Sequence, residues 1–364
     1  MAALFFGALF GLAMILFGYK LFFGSQPWVR GKEKLGLTSR PLVTEKATPR
    51  QLQIEPLKSF DWEKMAPLKF RPFKPIYFIT MALQSNAPSD LIIIDSNYKD
   101  RVLERRDTMR IHESTVMGAT PPGCDAVQEL YSFLVGDYLP ARYPTMFTLS
   151  ENSGTMLNHV TKKAVPTRPP GDPLASFRLL GETVEDDMFL LQETSDGHRL
   201  VAFLCCFPSG FDPSSKLGKV LKDIHEPVPS YEKIGPSMER LFSRLEVGKS
   251  VKRVNWSVAT EPKLFTPQGH HIYREQPFEE NEDVDIESSR VRIELQTLTR
   301  LPKTRAILFS FKTYLYPVAD IKKEGLGPQL ADAIEGLKSG NAPGMSVYKG
   351  AVRWGKSVCE YLRS

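Results

Sequence analysis

The longest apolar stretch of the chain comes at its start. From Ala2 to Phe23 the sequence reads AALFFGALFGLAMILFGYKLFF, with Lys20 as the one charge. A run of this length is enough for a helix to cross a bilayer. No basic residue precedes it, and bulky Tyr19, Phe22 and Phe23 stand where a cleavage site needs small side chains. The pattern predicts a retained transmembrane anchor over residues 1–23 rather than a cleaved secretory signal. Arg30, Lys32 and Lys34 follow, and the preference of positive charge for the inner side places the remainder of the chain in the cytosol. Residues 24–69 are rich in Pro, Lys and Gln without a sustained period, as in a stalk or lead-in. The folded domain is expected over residues 70–364.

Within that domain YFITMALQ (77–84) and DLIIIDSNY (90–98) read as strands, and AVQELYSFLVGDY (126–138) as a helix. DMFLLQETSDGHRLVAFLCCF (187–207) has two apolar runs around Ser195-Asp196-Gly197, a hairpin. A second, longer hairpin is RVRIELQTLTRLPKTRAILFSFKTYLYP (290–317), turning near Pro302-Lys303. In KLGKVLKDIHEPVP, Leu217, Val220, Leu221 and Ile224 fall at helical spacing, and Pro227 and Pro229 stop the helix just after His225. SMERLFSRL (237–245) and the segments 326–337 and 346–362 are amphipathic helices, and the acidic run 279–287 is a solvated loop. Hairpins followed by helices, without strand–helix alternation, give an α+β fold: an antiparallel sheet covered by helices.

Composition narrows the function. The chain of 364 residues is 42% hydrophobic and 24% charged, with net charge +5. Its basic residues are scattered among acidic ones, with no aromatic-laced basic stripe, which argues against nucleic acid. The four cysteines, Cys124, Cys205, Cys206 and Cys359, lack Cys-x-x-Cys spacing, so neither a disulfide framework nor a zinc or iron–sulfur site is indicated. No Gly-rich phosphate loop follows a strand.

Candidate chemistry rests on a few side chains. His225 shares the apolar stripe of its segment. It is either a helix-end histidine bonded to a carbonyl or an imidazole aimed into a dry pocket, as in proximal haem ligation. Arg253, in RVNWS, is a surface residue of a strand or a clamp for a carboxylate such as a haem propionate. Arg292, Glu294, Gln296 and Arg300 share one face of a strand with Leu298, which is either the wet face of a sheet or a cavity wall. The acids Glu182, Glu185, Asp186 and Asp187 read as a solvated turn, and His270-His271 as part of a polar loop.

The order of several segments adds to this. YFITMALQ, IIIDSNY, YLPARYP, EDDMFLLQ, LVAFLCCFPSGF, KLGKVLKDIHEPVP, RVNWS and RIELQTLTRLPKTRAILFSFKTY make the chain resemble the haem-dependent oxidative N-demethylase alpha-subunit-like family, whose fungal members are known as HRQ family proteins. Ile-His-x-Pro-Val-Pro and Gln-Thr-Leu-x-Arg-Leu-Pro are the most specific segments. The resemblance implies a PAS-like antiparallel core holding haem b and an oxygen-dependent demethylation of a methylamine that releases formaldehyde. By position it implies His225 as the iron ligand, Arg253 and Arg300 as cofactor contacts, and Arg292, Gln296 and Glu294 as pocket residues, Glu294 facing the amine. Two departures stand out: Leu295 occupies a position commonly Arg in the family, and the N-terminal anchor is foreign to its soluble bacterial members.

Activation of dioxygen by reduction needs two electrons, and the chain carries no dinucleotide or iron–sulfur signature of its own. A separate reductase is therefore implied, which suits the cytosolic face of the endoplasmic reticulum. Two other functions remain compatible with the sequence: a haem-binding sensor or carrier without turnover, and a lumenal anchored transferase.

Overall fold

The computed structural model describes residues 53–150, 152–273 and 276–364. The expected anchor, 1–23, lies outside them, and among the described residues no helix is long and apolar enough to cross a membrane.

Ten strands are present: β1 (Gln84–Asn86), β2 (Met117–Ala119), β3 (Phe147–Ser150), β4 (Thr155–Asn158), β5 (Lys163–Pro166), β6 (Asp187–Thr194), β7 (Gly197–Leu204), β8 (Ser250–Ala259), β9 (Arg290–Arg300) and β10 (Ile307–Pro317) among the described residues. Seven form one sheet in the order β1-β8-β9-β10-β6-β7-β2, and β3-β4-β5 form a small second sheet. Every pairing is antiparallel. Both expected hairpins are there. In β6–β7 the two-residue turn Ser195-Asp196 closes on Gly197, whose φ of 113° is open to glycine and strained for other residues. The β9–β10 hairpin stays in register from Arg300–Ile307 to Arg290–Pro317.

Helices cover this sheet, as the α+β expectation requires. Helices α1 (Tyr98–Ile111), α2 (Cys124–Tyr131) and α3 (Pro173–Gly181) share one apolar cluster with Met188, Leu190, Ala202 and Leu308 of the sheet. After the single-turn α4 (Leu221–Ile224), helices α5 (Gly235–Arg244), α6 (Gly327–Glu335) and α7 (Ala351–Arg363) join a second cluster with Phe189, Leu200, Trp256 and Ile293. Cys205 belongs to the second cluster and Cys206 to the first, so the adjacent thiols enter different cores.

Three elements depart from the sequence expectation. The apolar run 90–98 is not a strand. Leu91, Ile92 and Ile94 are buried, but tyrosine side chains satisfy the backbone: Ile92 N–H donates to the Tyr138 hydroxyl, and the Tyr143 hydroxyl donates to the Ile92 carbonyl. Residues 77–83 are extended yet outside the sheet. The helix expected from Leu217 shrinks to one turn, because Gly218 sits at φ 79° and donates its N–H to the Leu200 carbonyl, while Leu200 N–H donates to the Lys219 carbonyl. The end of the expected lead-in is packed as well: Ile54, Leu57, Phe60 and Trp62 lie against the first cluster.

Of the acids expected in a solvated turn, Glu185, Asp186 and Asp187 are buried, while Glu182 is half-buried beside Lys163. Lys312 holds Asp95 and Glu185 at 2.8 Å each, and Arg105 holds Asp187 at 2.5 Å. A continuous apolar cover over both faces of the sheet's centre leaves these charges no route to water, so they pair with each other.

Candidate functional site

Strand register assembles the site. Directly paired residues of an antiparallel sheet lie on the same face. Arg253 pairs with Gln296 and Gln296 with Phe311; Asn255 pairs with Glu294; Leu298 pairs with Phe309 and Phe309 with Phe189. All of these side chains line one cavity of about 280 Å³. A bulge between Leu190 and Leu191 turns Leu191 and Leu200 to the same side. Over the sheet lie α5, the segment around His225, and the extended strap 77–83, which contributes Tyr77, Ile79, Met81 and Leu83. One end of the cavity is thus apolar, while Arg253, Asn255, Glu294, Gln296 and Lys349 gather at another part of its wall.

His225 is the first residue after α4. Its Nδ1 lies 2.8 Å from the carbonyl of Leu221, one turn earlier. A carbonyl can only accept, so Nδ1 carries the proton and Nε2 keeps its lone pair. Nε2 makes no hydrogen bond among the described residues. The ring stacks on Tyr231 at 4.8 Å with an interplanar angle of 4°, which fixes its plane. Burial pushes its pKa down to about 4, so the ring is neutral at physiological pH. The two nitrogens of His225 thus differ: Nδ1 is bonded to a helical carbonyl, and Nε2 is free beside the cavity.

At the polar wall, Arg253 Nε donates to Gln296 Oε1 at 2.6 Å. Gln296 in turn donates from Nε2 to Glu294 at 2.9 Å. Arg253 forms no ion pair among the described residues, and burial lowers its pKa. Its remaining guanidinium N–H groups are available to an anion. Lys349 is 5% exposed and donates to the Trp256 carbonyl and, at 3.3 Å, to Asn255 Oδ1. Burial brings its pKa down to about 8. His271 stacks on Tyr348 at 4.4 Å and is held neutral by burial, with a pKa of about 3.

Of the residues singled out in the sequence, the fold brings His225, Arg253, Glu294 and Gln296 to one cavity. Arg292 and Arg300 are not in its wall. Arg292 is buried and donates to the carbonyls of Leu264, at 3.0 Å, and of Phe207. Arg300 donates to the carbonyls of Leu245 at 2.6 Å, Arg305 at 2.8 Å and Phe242. Arg292 ties two loops to the sheet, and Arg300 ties the end of α5 and its own hairpin turn to it. Lys349 and His271 were missed. His271 had been placed in a polar loop, whereas that loop folds over the cavity with Tyr348; neither residue has a motif in the sequence to mark it.

A family model described as haem-dependent oxidative N-demethylase, alpha subunit-like, matches residues 82–359. The chain belongs to this family. The matched span runs from the end of the strap into α7, and it contains His225, Arg253, Glu294, Gln296 and Lys349. The family name is that of a haem-dependent oxidoreductase. The cavity's residues fit such a group: a neutral imidazole with an unengaged Nε2, aromatic and aliphatic walls, and an unpaired guanidinium within the same cavity.

Proposed function

We propose that this chain is a membrane-anchored haem monooxygenase that removes a methyl group from an amine by oxidation, with electrons from a separate reductase. The proposed fold is the PAS-like core of the resemblance, and the proposed setting is the cytosolic face of the endoplasmic reticulum. The observation that carries the chemistry is the free Nε2 of a neutral, stacked imidazole inside an apolar cavity.

Haem b bound there would supply reductive activation of dioxygen and hydroxylation of an N-methyl carbon, after which the carbinolamine releases formaldehyde. In this reading His225 holds the iron through Nε2, and the Leu221 carbonyl fixes its tautomer. Arg253 holds a propionate, and Gln296 orients Arg253 from the other side. Glu294, with two amide donors already on it, accepts the N–H of a cationic amine. Lys349, with its pKa near 8, is able to give or take a proton within the dry cavity. The cavity volume of about 280 Å³ lies just below the ~300–1,000 Å³ of ligand pockets, so the cavity has to widen around the group. The strap, unpaired in the sheet, is the wall able to yield.

Purified protein supplied with haem is expected to show a Soret band that His225→Ala shifts or abolishes. A band indifferent to the substitution removes His225 as the ligand, and absence of a band in the unsubstituted chain removes the haem reading. Haem without amine-dependent oxygen uptake, in the presence of a competent reductase, would identify a carrier or sensor instead.

A further inference from the structure

The stretch from Lys64 to Gln84 holds four basic residues, Lys64, Lys69, Arg71 and Lys74, and no acidic one. It also holds most of the exposed large apolar side chains. Met65, Leu68, Ile76 and Phe78 are 45%, 40%, 47% and 56% exposed, against three others, Ile111, Leu149 and Phe278, among the remaining described residues. The strap alternates: Tyr77 and Ile79 face the cavity, while Ile76 and Phe78 on either side of Tyr77 face out. One segment therefore walls the cavity with its inner face and shows water an apolar outer face. Soluble surfaces seldom concentrate bulky apolar groups in this way unless something covers them.

Charge points to the occupant. Glu324 pairs with Arg71 at 2.7 Å and with Lys69 at 3.3 Å, and Asp61 pairs with Lys64 at 2.7 Å. Lys74, next to the apolar pair, has no such partner among the described residues. Apolar side chains interleaved with basic ones, with acids absent, suit the headgroup region of an anionic bilayer. The apolar run Ala2–Phe23 precedes this segment on the same chain.

We propose that the outer face of residues 65–78 docks on an anionic phospholipid surface, so that ligands reach the cavity past the strap from the bilayer. The docking stands on the exposed surface alone. The corollary that the substrate is a lipophilic amine rests on the haem reading above.

The test uses the full chain with Cys124→Ser, because Cys205, Cys206 and Cys359 are buried. An environment-sensitive fluorophore is placed at Ile76→Cys, at Phe78→Cys and, as a control of equal exposure, at Leu149→Cys. In phosphatidylserine-containing vesicles, spin-labelled lipid is expected to quench the probes at 76 and 78 at least about twofold more than the probe at 149. Lys74→Glu, or phosphatidylcholine alone, is expected to reduce that difference. Equal quenching at all three positions overturns the proposal. So does a blue shift at 76 that a protein partner induces and lipid quenchers do not touch. Quenched probes without a Soret band remove the haem reading and leave the docking; the converse removes the docking alone.

Discussion

Asp186 gives the buried charge cluster a pH response of its own, beside Glu185, whose pKa burial also raises. Asp186 is 4% exposed, its Oδ2 has no partner, and burial raises its pKa to about 7. An acid whose folded pKa is raised loses stability as pH climbs from its unfolded value through the folded one. Asp186→Asn is therefore expected to stabilise the protein more at pH 8 than at pH 5, by up to about 3 kcal/mol of difference. Urea unfolding at the two pH values measures this, and an equal effect at both would place the proton elsewhere. His225 shows how far a single residue is legible. Its apolar neighbours and the prolines behind it are visible in the sequence. That Nδ1 is spent on Leu221 depends on a one-turn helix, which exists because Gly218 breaks the longer helical pattern. Arg292 and Arg300 show the opposite case. Arginines alternating along a strand look the same whether they face a ligand or a loop carbonyl, and the loops that claim them, around Phe207, Leu264 and Leu245, are distant in sequence.

Among the elements, the strap 77–83 is the least secured. Its ladder-like contacts come from one side chain: Ile79 N–H donates to Asn341 Oδ1 at 2.8 Å, and Asn341 Nδ2 donates to the Ile79 carbonyl at 3.3 Å. A further backbone bond runs from Tyr77 N–H to the Gly336 carbonyl. Ala82 adopts φ 49°, a left-handed conformation that costs a non-glycine residue about 1 kcal/mol. Asn341→Ala is expected to speed hydrogen exchange at residues 77–83 at least tenfold, about the loss of one or two hydrogen bonds, while β8 keeps its protection. Haem binding would slow exchange in the same segment. YFITMALQ reads as a strand, yet residues 77–83 stay outside the sheet; the pattern is silent on whether a neighbouring strand or an asparagine pairs with its backbone.

For the molecule as a whole, acid is the weakness. His225, His270 and His271 are held neutral by burial, with pKa values of about 4, 4 and 3. A histidine with a lowered folded pKa contributes stability above its unfolded value of ~6.5, and that stability is lost as pH falls toward the folded value. Unfolding near pH 5 then takes up protons at the three histidines and returns fewer from Asp186 and Glu185, whose pKa values burial raises. Each net proton taken up corresponds to about 1.4 kcal/mol lost per pH unit. Urea midpoints between pH 6.5 and 4.5 should fall steeply, and a flat profile would mean that these rings are not buried neutral.

The sequence by itself determined both long hairpins, the helical cover and the α+β class, and it marked His225 and Arg253, which the fold brings to one cavity. Those signals are local: alternation, turn residues and apolar periodicity are written in neighbouring positions. The tertiary structure alone decided that the polar face of β9 is partly a cavity wall and not wet, and that Lys349 and His271 join it. It also decided that the acids beside β6 are buried against Lys312 and Arg105. The physical reason is that solvation of a side chain is a property of what covers it, and here the covering segments come from far along the chain.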